Sequence, residues 1–128
     1  MADQQGRTFV VTGATSGLGL VTARELAAHG GRVLLAVRDA ARGEEVASSL
    51  RRAYPGAEVE VRRVDLLDLR SIRRAAEEIG EEEAVDVLIN NAGISIPDLA
   101  WVSPASVGEG HASSGWRCVA PELAVSVR

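Results

Sequence analysis

The sequence predicts an α/β protein built on a doubly wound parallel sheet. Short apolar runs alternate with stretches of helical periodicity through residues 1–93, and a glycine-rich turn separates the first apolar run from the first helical stretch. Because the connections are short, we expect right-handed crossovers and a sheet of about four strands in the order 3-2-1-4. The glycine-rich turn then lies at the switch point between strands one and four.

The first part of the pattern contains two strands and one helix. Residues 7–12 are predicted to form a buried strand, and an apolar stripe at helical spacing predicts a helix from Gly17 to about His29. Gly30-Gly31 ends that helix, since glycine adopts the left-handed cap conformation at low cost. Residues 32–37 are apolar almost throughout, as expected for a strand with helices on both faces.

The next part of the pattern adds two helices and two strands. Asp39 is placed to cap a helix that runs to about Tyr54, and Asp68 is placed to cap a third helix. Between these helices, residues 58–64 alternate valine with charged side chains, which is typical of a strand at the edge of a sheet. Residues 85–89 are the fourth predicted strand.

The pattern stops near residue 94. The last 35 residues hold only five charged side chains, both tryptophans and three of the four prolines, and only residues 123–127 suggest any further period. A stretch of this length without regular structure is unusual inside a compact domain. We therefore expect a half-domain over residues 1–94 and an irregular C-terminal tail over residues 95–128.

Composition excludes several classes of function. The formal net charge of −4 offers no basic surface for nucleic acid, and no apolar run is long enough to span a membrane. The polar start containing Asp3 predicts no secretory signal, and the single cysteine, Cys118, cannot form an internal disulfide, so the cytoplasm is the expected compartment. His111 and Cys118 are too few and too far apart to predict a metal site.

The glycine-rich turn, Thr12 to Gly19, predicts a site for a diphosphate. Gly13 suits a tight turn, Gly17 allows close approach of a ligand, and Gly19 allows the helix to pack near the strand. The helix that starts here offers free N–H groups and a partial positive charge to the same anion. A plain structural turn is the alternative, but the strand before it and the helix after it favour a nucleotide site.

Taken in order along residues 6–94, these features resemble the short-chain dehydrogenase/reductase family and, within it, the reductase subset related to retinol dehydrogenases. Four motifs carry the resemblance: the TGxxxGxG loop Thr12–Gly19, the segment Arg38-Asp39 with Arg42-Gly43-Glu44, the pair Asp65-Leu66, and the NNAG motif Asn90–Gly93. The resemblance implies a Rossmann-like NAD(P)-binding half-domain over residues 1–94. It does not extend to residues 95–128, which we expect to be unrelated to the family.

The resemblance also implies which residues bind the cofactor. They are Gly13, Thr15, Ser16, Gly17, Leu18, Gly19, Arg38, Asp65, Leu66, Asn91, Ala92 and Gly93. In the family, the carboxylate after strand three meets the adenine amino group, and the NNAG motif supports the sheet and lies along the cofactor ribose. Asp65 has an equally simple alternative, which is to cap a turn.

The end of the second strand predicts the choice of cofactor. An acidic residue there would bind the ribose hydroxyls of NAD and repel a phosphate, whereas this chain reads Val37-Arg38. A guanidinium fork makes charge-assisted hydrogen bonds to a 2′-phosphate, so we expect NADP(H) to be preferred over NAD(H). The alternative is that Arg38 is a solvent-exposed arginine beside the capping Asp39.

The family's catalytic residues have no counterparts in this chain. The family uses a tyrosine as general acid/base with a lysine four positions later, because a tyrosine of pKa about 10 needs a nearby cation to work near neutrality. All 14 basic residues here are arginine, and the single tyrosine, Tyr54, is followed four positions later by Glu58. We therefore predict no catalytic residue in this sequence.

Three functions are compatible with these observations. The first is an NADP(H)-binding fragment of an oxidoreductase cut short by a frameshift or a misplaced stop, as the abrupt change in composition indicates. The second is a non-catalytic nucleotide-binding module, or half of a split enzyme completed by another chain. The third is a strand-edge interaction protein in which the glycine loop is structural only and the outer edge of strand four accepts a second copy or a partner strand.

Overall fold

The computed structural model describes residues 1–82, 84–94 and 117–118. The elements in chain order are β1 (Thr8–Thr12), α1 (Gly17–Ala28), β2 (Arg32–Val37), α2 (Ala40–Ala53), β3 (Val59–Arg63), α3 (Leu69–Glu82), β4 (Val87–Ile89), β5 (Gly93–Ile94) and β6 (Arg117–Cys118).

The main sheet has four parallel strands in the order β3-β2-β1-β4. Val11 is aligned with Leu35 on one side and with Ile89 on the other, so β1 lies at the centre with a neighbour on each side. The predicted fold class and strand order are confirmed. The chain leaves β1 toward β2 on one side of the sheet, whereas β4 lies on the other side. The turn after β1 therefore lies at the point where the strand order changes direction.

Helices cover both faces of the sheet. Val11 and Leu35 point to the face on which α1 and α2 pack, whereas their neighbours Val10 and Leu34 point to the face on which α3 packs. All four side chains are at least 96% buried, with Val11 and Leu35 completely so. This two-sided burial explains why β1 and β2 are apolar at consecutive positions rather than at alternate ones.

Two helices begin at the predicted caps. Asp39 Oδ1 accepts a hydrogen bond from the backbone N–H of Arg42 at 3.1 Å, and Asp68 Oδ1 accepts one from the backbone N–H of Arg70 at 2.9 Å. The second bond lowers the pKa of Asp68, since the bond favours the charged carboxylate. Both carboxylates satisfy N–H groups that have no partner within their helix.

The charged side chains of β3 form an ion-pair cluster with β2. Arg32 donates from Nε and Nη2 to Glu60 Oε1 at 3.1 and 2.6 Å, and Arg62 Nη2 donates to Glu60 Oε2 at 2.9 Å. The hydrogen bond from Arg32, with a further one from Arg62, lowers the pKa of Glu60 although partial burial opposes the change. The expectation that residues 58–64 form a partly wet edge strand is confirmed.

Strand four is shorter than expected. It begins at Val87 rather than at residue 85, because Val85 turns into the core beneath α3 and is only 6% exposed. Asp86 joins the neighbouring strand through its side chain, where Oδ2 accepts a hydrogen bond from the N–H of Thr8 at 2.7 Å. The carboxylate of Asp86 thus takes the place of a backbone carbonyl in the strand pairing. The pattern of apolar residues does not reveal such a contact.

The structure adds a two-stranded antiparallel ladder that the sequence pattern did not predict. Gly93 is aligned with Cys118, and Ile94 with Arg117, so the segment after β4 meets part of the expected tail. Of the expected irregular tail, the structure describes only residues 117–118, which form this short pairing. Residues 95–116 and 119–128, including the run at 123–127, lie outside the described residues, and the division at residue 94 stays a prediction.

The described residues lack two features that would point to other functions. No helix there combines the length and apolar character needed to cross a membrane. No group of three or more histidine, cysteine, aspartate or glutamate side chains in that same part of the chain could hold a metal ion.

Candidate functional site

The turn between β1 and α1 depends on glycine backbone conformations. Gly13 has φ of +65° and Gly17 has φ of +57°, both in the left-handed region that other residues rarely adopt. The N–H of Gly13 donates to the carbonyl of Ala36 at 3.3 Å, which holds the turn against the end of β2. The chain can therefore reverse direction without placing a side chain over the end of the sheet.

Close packing requires glycine at two positions of this turn. A Cβ on Gly13 would lie 2.8 Å from the Cα of Ala92, and a Cβ on Gly19 would overlap Asn91 Nδ2 and the carbonyl oxygen of Gly13. A Cβ on Gly17 would instead meet nothing within 4 Å. Gly13 and Gly19 thus serve the internal contact with the segment after β4, while Gly17 faces open space.

Thr12 is the central hydrogen-bonding residue of this region, and it was not among the predicted site residues. Its side chain is buried, and its hydroxyl donates to the carbonyl of Ile89 at 3.4 Å. The same oxygen accepts from the N–H groups of Asn91 at 3.0 Å and Ala92 at 2.9 Å. The only sequence signal was its place at the head of the glycine motif.

Asn91 completes the link between the two loops. Its side-chain Nδ2 donates to the carbonyls of Thr12 at 3.2 Å and Gly13 at 3.3 Å. The amide thus satisfies backbone acceptors at the end of β1, where no further strand pairing is available. Ala92 and Gly93 follow directly, so the structure brings three residues of the NNAG motif next to the glycine-rich turn.

The first turn of α1 is open to an anion. Ser16 is the N-cap residue but its side chain makes no capping hydrogen bond, and the first turn holds no acidic residue. The N–H of Leu20 donates to the carbonyl of Ser16 at 3.3 Å, which leaves the earlier N–H groups of the turn available. Leu18 is 78% exposed, and Thr15 lies half-buried between the two glycines.

Arg38 lies at the same edge of the sheet. It follows the last residue of β2 and is exposed, and it forms no ion pair with any described residue. The adjacent carboxylate of Asp39 turns toward the N–H of Arg42 instead. A guanidinium without an acidic partner is thus available beside the start of α2.

Asp65 and Leu66 follow β3 at this edge too. Asp65 Oδ1 accepts a hydrogen bond from the N–H of Leu67 at 3.0 Å, and the N–H of Asp65 donates to Ser71 Oγ at 2.9 Å. The turn-capping role considered for Asp65 is therefore present in the structure. Leu66 packs partly against the core beneath α3, and both residues are half-buried.

All twelve predicted cofactor-binding residues lie in segments that follow the carboxyl ends of β1, β2, β3 and β4. In parallel α/β sheets these ends form the ligand-binding edge. Tyr54 lies at the opposite end of the molecule, at the C-cap of α2. An open groove that includes Tyr54, Gly30 and Pro55 also lies at that end, away from the predicted site.

Comparison with known proteins agrees with this geometry. Residues 7–108 match the family model described as short chain dehydrogenase. Mouse retinol dehydrogenase 12 is 48% identical over 90 residues, covering 70% of this chain and 28% of that protein. Human retinol dehydrogenase 13 is 49% identical over 90 residues, covering 70% of this chain and 27% of that protein. The chain thus spans less than a third of the length of these relatives.

Solved structures show the same likeness. The L-sorbose reductase of Gluconobacter frateurii, in complex with NADPH and L-sorbose, superposes with a TM-score of 0.68 at 30% identity, over 73% of this chain and 36% of that chain. The Pseudomonas aeruginosa RhlG/NADP active-site complex gives a TM-score of 0.66 at 36% identity, over 73% and 37% of the two chains. On its sequence, sheet order and glycine-rich turn, this chain belongs to the short-chain dehydrogenase/reductase family, in the retinol-dehydrogenase-like subset.

Proposed function

We propose that this chain binds NADP(H) at the carboxyl edge of its sheet. The observation that carries the proposal is the open first turn of α1, where Gly17 leaves free space and no acidic side chain opposes an anion. Thr12 and Asn91 hold this turn against the segment after β4, so it is preorganised before a ligand arrives. NADPH and NADP complexes of the similar proteins support the same choice of ligand.

The proposed contacts divide among four loops. The β1–α1 turn binds the diphosphate through backbone N–H groups and the free hydroxyl of Ser16, and the half-buried Thr15 adds a second hydroxyl beside it. Gly17 keeps a side chain out of that space, while Gly13 and Gly19 let the turn pack against the segment after β4. Leu18 offers an apolar surface beside it because its side chain is largely exposed.

The remaining contacts lie along the other three strand ends. Asp65 presents its second carboxylate oxygen to the adenine amino group while the first holds the turn at Leu67, and Leu66 lines the adenine side. Asn91, Ala92 and Gly93 lie along the ribose, since they are fixed to the end of β1.

The preference for NADP(H) over NAD(H) rests on Arg38. Its guanidinium has no acidic partner in the described part of the chain, so binding a phosphate would break no existing ion pair. Guanidinium groups bind phosphates through charge-assisted, paired hydrogen bonds. The carboxylate of Asp39, the acidic residue next to Arg38, caps α2 through Oδ1 instead of turning to the ribose.

We also propose that this chain does not transfer hydride by itself. NADP(H) supplies the hydride in this family's chemistry, but a proton donor of suitable pKa must come from the protein. The chain has one tyrosine and no lysine, and Tyr54 lies at the amino end of the strands, opposite the proposed cofactor site. The function is therefore that of an NADP(H)-binding fragment of an oxidoreductase.

A second candidate is a nucleotide-binding module, or half of a split enzyme, completed by a partner chain or a second copy. The specific observation is the outer edge of β4, with which no strand of the described residues pairs. Val87 in that strand is 37% exposed. An open apolar strand edge is suited to strand addition. The apparent mass of the purified chain at increasing concentration tests whether it associates.

Titration of the 128-residue chain with NADPH and NADH, followed by nicotinamide fluorescence, tests the proposal. We expect NADPH to bind more tightly, and we expect Arg38→Ala to reduce that difference while leaving NADH affinity unchanged. Equal affinities in the wild-type chain would exclude the role of Arg38. No binding by a chain with a folded circular dichroism spectrum would exclude the function, and steady NADPH oxidation with carbonyl compounds would exclude the non-catalytic assignment.

A further inference from the structure

Several arginines of the sheet and of α2 are engaged by carboxylates, and two at the strand ends are not. Arg32, Arg51 and Arg62 all form ion pairs with carboxylates of Glu60 or Glu44, at distances between 2.6 and 2.9 Å. Arg38 and Arg63, at the carboxyl edge, form no ion pair with any described residue and are both exposed. The guanidinium groups of Arg38 and Arg63 are therefore available where β2 and β3 end.

Arg63 is the neighbour of Arg38 across the sheet. It is the last residue of β3, its Cα is paired with Val37, and the N–H of the next residue, Val64, donates to the carbonyl of Val37 at 2.8 Å. Arg38 follows Val37 directly. Since parallel strands lie about 4.8 Å apart, the two arginines leave the sheet from adjacent positions.

The side chain of Arg63 belongs to the face on which α2 packs. Val59 and Val61 both pack against the core beneath α1 and α2, and alternation along the strand places Arg63 on that same face. A Cβ on Gly43 of α2 would lie 2.6 Å from Val37 Cγ2 and 3.0 Å from Val61 Cγ1. The start of α2 is thus close against the strand ends from which Arg38 and Arg63 emerge.

The acidic groups nearest in sequence do not neutralise this pair. Asp39 Oδ1 accepts from the N–H of Arg42 at 3.1 Å, and Asp65 Oδ1 accepts from the N–H of Leu67 at 3.0 Å. Neither carboxylate forms an ion pair with Arg38 or Arg63. Arg38 and Arg63 extend from the ends of adjacent strands, close to the start of α2, and neither is engaged by these two carboxylates. Two guanidinium groups so placed suit a dianionic phosphate.

We propose that Arg63 is a second guanidinium for the 2′-phosphate of NADP(H), acting beside Arg38 from the neighbouring strand. The proposal rests on the proposed cofactor function and extends its specificity to β3. It requires that Arg63 discriminate between NADP(H) and NAD(H), since NAD(H) carries no phosphate at that ribose. A merely electrostatic contribution to binding any dinucleotide would not discriminate in this way.

The test compares dissociation constants for NADPH and NADH in wild-type, Arg63→Ala, Arg38→Ala and Arg52→Ala proteins. Arg52 is the matched control, because it is an exposed arginine at the other end of α2 and its loss changes the net charge equally. We expect Arg63→Ala to weaken NADPH binding about tenfold, as loss of a charge-assisted hydrogen bond does, with NADH binding unchanged. Arg52→Ala should change neither constant.

The outcomes separate this proposal from the one on which it depends. If Arg38→Ala loses NADPH selectivity while Arg63→Ala behaves as Arg52→Ala does, the role of Arg63 is excluded and the cofactor assignment stands. Equal weakening of NADPH and NADH by Arg63→Ala also excludes the role. A folded wild-type chain that binds neither cofactor excludes both proposals. Circular dichroism of each variant confirms the fold, which loss of an unpaired surface arginine should not affect.

Discussion

A single side chain, the hydroxyl of Thr12, links the ends of β1 and β4. It donates one hydrogen bond and accepts two, all to backbone groups 77 to 80 positions away in sequence. Valine has nearly the same shape but can neither donate nor accept. Its presence would leave the N–H groups of Asn91 and Ala92 without their acceptor in a partly buried region.

We therefore expect Thr12→Val to lower the free energy of unfolding by about 2 kcal/mol, measured by urea denaturation. Thr22→Val is the matched control, because the Thr22 hydroxyl donates within its own helix, to the carbonyl of Leu18 at 2.8 Å. That loss should cost less than about 0.5 kcal/mol, since the carbonyl keeps its other partners. Equal costs for the two variants would contradict a linking role for Thr12.

Gly19 and Gly80 provide a second contrast between two helical glycines. A Cβ on Gly19 would overlap Asn91 and Gly13, whereas a Cβ on Gly80 would meet nothing within 4 Å. We expect Gly19→Ala to destabilise the fold by about 2 kcal/mol, because α1 or the segment after β4 must move. Gly80→Ala should stabilise it by about 0.5 to 1 kcal/mol. Thermal and urea unfolding measure both, and destabilisation by Gly80→Ala would refute the packing argument.

The glycines of the turn could be identified from the sequence, but the residues that they contact could not. A tight turn at Gly13 follows from a strand-turn-helix pattern, and its positive φ agrees with that prediction. The contact of Gly13 with Ala92 joins residues 79 positions apart, and no local spacing encodes it. Thr12 was missed as a site residue for the same reason. Whether the twelve residues bind a cofactor stays a prediction.

At the scale of elements, the edge strand β3 depends on charge. The pKa of Glu60 is lowered from its ordinary value of 4.5, first by the hydrogen bond from Arg32. A lowered folded-state pKa means that this carboxylate stabilises the fold above about pH 4.5. This stabilisation disappears as the pH falls through the lowered pKa, because the Glu60 carboxyl is then protonated in both the folded and the unfolded state.

Glu60→Gln should therefore destabilise the chain most at neutral pH. The difference in free energy of unfolding between wild type and variant should shrink steadily as the pH falls below about 4.5. Urea denaturation at several pH values between 7 and 3 gives this difference. A difference that stays constant with pH would show that Glu60 acts through packing and not through its charge.

Element boundaries followed from sequence wherever a local signal existed. Asp39 and Asp68 cap helices at the predicted positions because a carboxylate directly before the first helical residue is a short-range signal. Strand β4 was predicted two residues too long, because the apolar side chain of Val85 packs in the core beneath α3 and the residue is not part of the sheet. The ladder of Gly93–Ile94 with Arg117–Cys118 had no periodic signal, because two residues are too few to show one.

For the whole molecule, ligand binding should appear as added stability. A ligand that binds only the folded chain raises the free energy of unfolding by about 2.7 kcal/mol at one hundred times its dissociation constant. We expect NADPH to raise the midpoint of thermal unfolding, and NADH at the same concentration to raise it less. Adenosine 5′-monophosphate, which lacks the 2′-phosphate, is the control for stabilisation that does not depend on that phosphate. No shift with any dinucleotide would contradict the proposed function.

Strand order was predictable at this scale because right-handed crossovers and short connections leave few arrangements for four parallel strands. The position of Tyr54 also followed, since a residue at the end of α2 must lie at the amino end of the strands. Whether the outer edge of β4 pairs with another strand could not be predicted, because strand addition depends on groups outside the local pattern.

In the proposed function, a dinucleotide binds across the turn between β1 and α1. Backbone amide chemical shifts of the isotope-labelled chain, recorded during an NADPH titration, test it residue by residue. We expect the largest changes at Gly13 to Gly19 and Asn91 to Gly93, with smaller ones at Arg38 and Arg63. Changes confined to Gly30, Tyr54 and their neighbours at the opposite end of the sheet would contradict the claim.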